Sequence, residues 1–244
     1  MKVLALNASP RGSNQSKTEL MLKHLVKGMR DAGAEVEVVA LREKTIKHCI
    51  GCFTCWTKTP GTCVHKDDMA NELFPKWLES EIVVYATPLY NYAMTATLKA
   101  FIERTLPSNQ PFFEIHEGRM FHPLRHKTPA VVILSVSGMP DESHFGALST
   151  HVRYLYASPG RRLLAEIYRP AAEAMTHPFF KDQLDDILDA TTQAGRELVR
   201  SMKVSPETLK RITQPLIIDA QSLADAANEM WKALIAESVI REGS

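Results

Sequence analysis

No stretch of this 244-residue chain approaches the ~18 apolar residues of a membrane span. The apolar run near the start, Val3–Leu6, is too short for the core of an export signal. Neither sign of charge dominates. Twenty-nine basic residues meet 28 acidic ones, which leaves no broad field to hold a nucleic-acid backbone. The glycine signatures GxGxxG and GxxxxGK[ST] are both missing, which argues against a dinucleotide fingerprint and a P-loop nucleotidase. No G-x-S-x-G elbow supports a hydrolase triad from Ser137, Asp141 and His144. Cysteine is scarce. Its four copies all fall between positions 49 and 63, whereas the staples of a small secreted domain would be spread out. The expectation is a soluble, cytoplasmic protein with no nucleic-acid or membrane partner.

What is present is an ordinary globular balance, 45% hydrophobic and 23% charged, so disorder is not the main state. Val3–Leu6, Val36–Leu41, Ile82–Ala86, Val131–Val136 and Leu163–Ile167 read as strands. Between them lie helical patterns, beginning with Leu20, Met21, Leu22, Leu25, Val26 and Met29. Asp67 or Asp68 is placed to cap a helix that Pro75 kinks or ends. Strands apolar on both faces and alternating with helices indicate an α/β protein with a parallel sheet covered on both sides. Five strands suit the flavodoxin-like doubly wound order 2-1-3-4-5. The expected organisation is a sheet domain over residues 1–177 and a C-terminal helical extension over 178–244. In the extension, Gln183–Met202 and Gln221–Ile240 read as amphipathic helices, the second with Leu223, Ala227, Met230, Trp231 and Leu234 on one stripe. Those stripes are expected to pack on the sheet domain or on another subunit. The long segment Pro107–Pro129 reads as a lid or a subunit contact.

Three segments carry chemistry. The loop Asn7–Thr18 lies between the first strand and the first helix, where a doubly wound sheet binds phosphate. Ser9, Ser16 and Thr18 offer hydroxyls there and Arg11 a charge; Ser16 with Glu19 also forms the capping pattern S-x-x-E. The loop Ala86–Thr95 follows the third strand, beside the switch point, with proline to shape it and two tyrosines to face a flat ring. The cysteines are spaced Cys49-x2-Cys52-x2-Cys55-x7-Cys63. The first two gaps match the C-x2-C-x2-C run that holds an iron–sulfur cubane. A structural zinc site takes two separated C-x2-C pairs, and the second pair is missing. Unmetallated thiols packed with Phe53 and Trp56 are the plain alternative. His48 and His65 beside the cysteines, and His116, His122 and His126 in the long loop, read as ordinary solvated histidines.

Ser9-Pro10-Arg11, the Thr87–Tyr92 loop and Thr97–Arg104 together resemble the NADPH-dependent FMN reductase family of flavodoxin-like proteins. The compact cysteine motif after the second strand resembles its iron–sulfur flavoprotein branch. The resemblance covers roughly residues 1–170. It implies that Ser9, Arg11, Ser16 and Thr18 bind the FMN phosphate. It places Pro88, Leu89, Tyr90, Asn91 and Tyr92 at the isoalloxazine ring, with Ser137 and Gly138 in a third loop near it. It makes Cys49, Cys52, Cys55 and Cys63 the ligands of a [4Fe-4S] cluster. It further implies a homodimer or homotetramer in which the cluster passes electrons to FMN across a subunit contact. No acid or base is expected to be essential, because the flavin carries the chemistry. A ferredoxin-like donor and a small-molecule redox substrate such as a quinone are the implied partners. A cluster-free reductase fed by NAD(P)H is one alternative. A metal-binding or redox-sensing regulator built on the cysteine loop is another.

Overall fold

A computed structural model describes residues 1–12, 15–216 and 219–242, the side chains of 220 and 237–242 apart. Ser13 and Asn14 of the first loop, and Ile217, Ile218, Gly243 and Ser244 of the C-terminal segment, lie outside the described residues.

The chain runs through β1 (Lys2–Asn7), α1 (Lys17–Asp31), β2 (Glu35–Ala40), α2 (Phe74–Glu79), β3 (Ile82–Pro88) and α3 (Ala96–Glu103). A short antiparallel hairpin follows, β4 (Glu114–His116) and β5 (Arg119–Phe121). Then come β6 (Ala130–Val136), α4 (Gly146–Leu155), β7 (Leu163–Arg169), α5 (Lys181–Ser201), α6 (Pro206–Thr213) and α7 (Ala220–Glu242). The main sheet has the order β2-β1-β3-β6-β7, parallel throughout. With the hairpin left out of the count, this is the expected doubly wound order 2-1-3-4-5. All five expected strands are present, each within two residues of its read boundaries.

Side-chain alternation explains the layering. Val3 and Ala5 of β1 enter one core, with Val84, Leu134 and Ile167, while Leu4 and Leu6 enter the other, with Val83, Tyr85 and Ile133. Strands buried on both faces must be apolar at every position, which is why they read as continuous runs. The first core is closed by α1, α5 and α6, and the second by α2, α3 and α4.

The C-terminal segment divides in two. Ile187, Ala190, Ala194 and Leu198 of α5 and Ile212 of α6 belong to the same core as β1 and β3. The approach of α1 to α5 is so close that a Cβ on Gly28 would stand 1.8 Å from the Thr192 carbonyl oxygen. A Cβ on Gly195 would stand 2.1 Å from that of Leu25. Helix α6, not anticipated from periodicity, is tied to the sheet by Arg169 at the end of β7. This fully buried guanidinium donates from Nη1 to the Ile212 and Gln214 carbonyls, 2.7 and 2.8 Å away. Those are orphan acceptors at a helix C-terminus, where a cation is favoured. In α7, by contrast, Met230, Trp231 and Leu234 are exposed, so the expected apolar stripe is not packed on the sheet. None of the described helices is long and apolar enough to cross a membrane.

Candidate functional site

Two cavities bear on function, and one of them opens at the carboxyl edge of the sheet, where α/β proteins place their ligands. The first lies over β1, β3 and β6. Ser9, Arg11, Ser16 and Thr18 line it from the first loop, Pro88, Leu89 and Tyr90 from the loop after β3, and Gly138 from the loop after β6.

Local hydrogen bonds set the first loop. The Asn7 carboxamide oxygen accepts from Ser9 N at 3.0 Å, and Ser9 Oγ accepts from Arg11 N at 3.3 Å. Ser16 is the N-cap of α1, its Oγ accepting from Glu19 N at 3.0 Å. The capping box is only half formed, because the Glu19 carboxylate turns to Asn7 Nδ2, 3.0 Å away. Ser16 is thus both cap and cavity wall, and among the described residues no acceptor takes its hydroxyl proton.

The loop after β3 is stapled at three points. Leu89 N donates to the Val136 carbonyl at 2.8 Å, Thr95 N to Thr87 Oγ1 at 3.1 Å, and Thr95 Oγ1 to the Ala8 carbonyl at 3.2 Å. At its tip, Tyr90 and Ala93 exchange backbone hydrogen bonds of 2.9 and 3.0 Å. This tight turn forces Asn91 (φ 47°) and Tyr92 (φ 61°) into the left-handed region. Both stand outside the cavity lining. Ser137 is buried behind it, donating N–H to the Arg169 carbonyl at 2.9 Å and accepting from Met139 N at 3.1 Å, so it shapes the turn that presents Gly138.

Four lining residues escape sequence reading as site residues: Lys17, Val136, Ala172 and Glu173. Lys17 sits between two residues that were read, and a cation there carries its own signal. Glu173 is brought in by the connection after β7, turned by Ala171 in a left-handed conformation (φ 51°). Its Oε1 lies 2.9 Å from Arg11 Nη1.

The second cavity is lined by all four cysteines, together with His65, Arg104 and apolar neighbours. Left-handed Gly51, Phe53 and Gly61 let the loop fold tightly. Phe53 stacks on Trp56, which meets the His122 ring at 4.6 Å; His122 in turn meets Phe113 at 4.6 Å. The long segment thereby leans on the cysteine loop. The thiols differ in character. Burial pushes Cys55 up, with Cys63 adding to the shift. Hydrogen bonding from Thr54 draws Cys52 down.

Beneath this loop lies an ion pair that sequence reading met only as two unrelated residues. Arg104, at the end of α3, donates from Nη1 to Asp67 Oδ2 at 2.8 Å and from Nη2 to Oδ1 at 2.9 Å. Its Nη1 also donates to the Lys47 carbonyl at 2.7 Å. Both side chains are almost wholly buried. Asp67 further accepts from Lys47 N at 2.9 Å and from Ala70 N at 3.0 Å, so it caps the helical segment as expected. Burial alone would raise its carboxyl; the Arg104 guanidinium and the two amides overcome that and hold it at about 2.

Among the described residues, no three His, Cys, Asp or Glu side chains gather as the ligand set of one metal ion. A cubane does not ask for that arrangement. Each of its four irons takes one thiolate, so four cysteines around a shared cavity are the donor set it requires. The residues present fit the group.

The sheet order and the cavity over its switch point define a flavodoxin-like fold. The family model for NADPH-dependent FMN reductase matches residues 1–166, and the chain belongs to that family. An iron–sulfur flavoprotein of Archaeoglobus fulgidus is 43% identical over 108 residues, 44% of this chain and 46% of the relative. An FMN-dependent NADH:quinone oxidoreductase of Exiguobacterium is 23% identical over 203 residues, 79% of this chain and 93% of that one. The crystal structure of an FMN-dependent NADH-azoreductase from Bacillus anthracis, in complex with FMN, superposes with a TM-score of 0.58 at 14% identity. It covers 82% of this chain and 99% of its own, a likeness of fold. The chain spans about half the length of the iron–sulfur flavoproteins it matches.

Proposed function

We propose that this chain is an FMN-dependent oxidoreductase in which a [4Fe-4S] cluster exchanges electrons with the flavin. The observation that carries the reading is a pair of cavities with distinct linings in one chain. One is lined by the hydroxyl and cationic groups of the first loop and by the loop after β3. The other is lined by four cysteines. FMN supplies hydride or single-electron chemistry when bound. The chain's own part is placement. Ser9, Arg11, Ser16 and Thr18, with the N-terminus of α1, suit a phosphate dianion. Pro88, Leu89, Tyr90 and Gly138 suit the ring, and Asn91 and Tyr92 rim its outer edge. Ser137 holds the Gly138 turn. Cys49, Cys52, Cys55 and Cys63 would ligate the cluster. A protein one-electron donor and a small oxidant such as a quinone complete the scheme, in a homo-oligomer.

The second reading is an NAD(P)H-dependent quinone reductase without a cluster. The quinone oxidoreductase relative favours it, because that match runs over 79% of this chain. Iron, acid-labile sulfide and flavin, measured in one anaerobically purified sample, separate the two. About four iron and four sulfide with one FMN per chain support the first. FMN without iron supports the second. Neither cofactor overturns both.

A further inference from the structure

The Arg104 guanidinium is fixed by three hydrogen bonds, two to Asp67 and one to the Lys47 carbonyl. All of them leave from Nη1 and Nη2. Its Nε–H is fully buried and has no partner among the described residues. A buried N–H without an acceptor is costly, so a native site that keeps one has a use for it. Arg104 also forms part of the wall of the cysteine cavity. Cys63 lines the same cavity. The pair with Asp67 leaves the site close to neutral, so what Arg104 presents to the cavity is chiefly a fixed donor.

We propose that Arg104 Nε–H is a hydrogen-bond donor to a sulfur of the bound cluster, Cys63 Sγ or a neighbouring sulfide, and sets the cluster's reduction potential. This rests on the cluster reading above. A hydrogen bond to a sulfur draws electron density from it and favours the more negative, reduced form, which raises the potential. Asp67 positions the donor: its two oxygens engage both terminal nitrogens, which fixes the guanidinium plane and leaves Nε–H without a protein acceptor among the described residues. Lysine in this place would keep a cation for Asp67 and lose the Nε–H.

The test is a redox titration of the cluster, followed by electron paramagnetic resonance, in the wild type and in Arg104→Lys. The expected result is unchanged iron, sulfide and FMN content with a tenfold weaker one-electron reduction equilibrium, a fall of about 59 mV. An unchanged midpoint with the cluster in place overturns the proposal and leaves the cluster reading intact. If Arg104→Lys fails to retain the cluster, wild-type protein labelled with 15N-arginine decides. Pulsed electron paramagnetic resonance of its reduced cluster should show an arginine nitrogen coupling, and its absence overturns the proposal. Wild-type protein that holds FMN but neither iron nor sulfide overturns the cluster reading first and this inference with it.

Discussion

Arg11 and Glu173 face each other across the mouth of the first cavity, Nη1 to Oε1 at 2.9 Å, although they are 162 residues apart. Arg11 is the cation assigned to the flavin phosphate, and in this arrangement a carboxylate already holds it. Both side chains are more than half exposed, which keeps the pair weak and displaceable.

Replacing Glu173 with Gln should tighten FMN binding. An exposed pair contributes ~0.2–1 kcal/mol, so the gain is about 1.4- to fivefold in a flavin-fluorescence titration. Arg11→Ala should weaken binding by ~1.5–3 kcal/mol through loss of a charge-assisted contact. Adding Glu173→Gln to Arg11→Ala should then yield less than the single change does. Unaltered affinity in Arg11→Ala would remove Arg11 from the phosphate site.

Cys52 is the most exposed of the four thiols. Cys52→Ser should bring iron and sulfide to background and leave FMN bound, since the flavin loops do not touch this cavity. An absorbance near ~400 nm that survives flavin subtraction would mean the ligand set is drawn wrongly.

Asp67→Asn should cost about 3–5 kcal/mol near neutral pH, because it strands the buried Arg104 charge. The pH dependence follows from the sign of the shift. Asp67 titrates at about 2 in the folded chain against an ordinary 3.8, so its contribution is full above about pH 4 and is lost as the pH falls towards 2. That contribution is about 2 kcal/mol. Urea melts between pH 6 and 2.5 should show the gap between wild type and variant narrowing on acidification. A constant gap would show that the carboxylate charge is not what stabilises the fold.

Gly195→Ala sets a helix preference against a clash. Alanine gains about 1 kcal/mol in a helix interior. Its Cβ would meet the Leu25 carbonyl oxygen at 2.1 Å and Met29 N at 2.8 Å, both backbone atoms that cannot swing aside. The clash should win by about 2 kcal/mol, lowering Tm by roughly 5 °C. A raised Tm would show that α1 and α5 separate at little cost.

The centre of the sheet was legible because β3 and β6, covered on both faces, are apolar almost throughout. Ser16 and Asp67 were legible as caps because caps are local. What escaped was non-local. Glu173 reaches Arg11 only once β7 has crossed the sheet. Arg104 and Asp67 gave no sign of each other, being 37 residues apart. The hairpin of three-residue strands is exposed on most of its surface and carries no alternation to read. Helix α7 was legible as a helix, and Met230, Trp231 and Leu234 are exposed rather than packed on the sheet, the first of the two partners its stripe allowed.

The intimate seam between α1 and α5 has a bearing on how the chain is assembled. The stretch shared with the family ends at residue 166, yet Met21, Leu25 and Met29 of α1 are covered by a helix that begins at Lys181. A ribosome that has delivered every strand of the sheet has therefore still left the flank of α1 that meets α5 uncovered. Vectorial synthesis cannot complete this core piecemeal; α5 must slot Gly195 against the first helix made. Fragments cut at the family boundary would carry the first loop on a helix with one flank undressed.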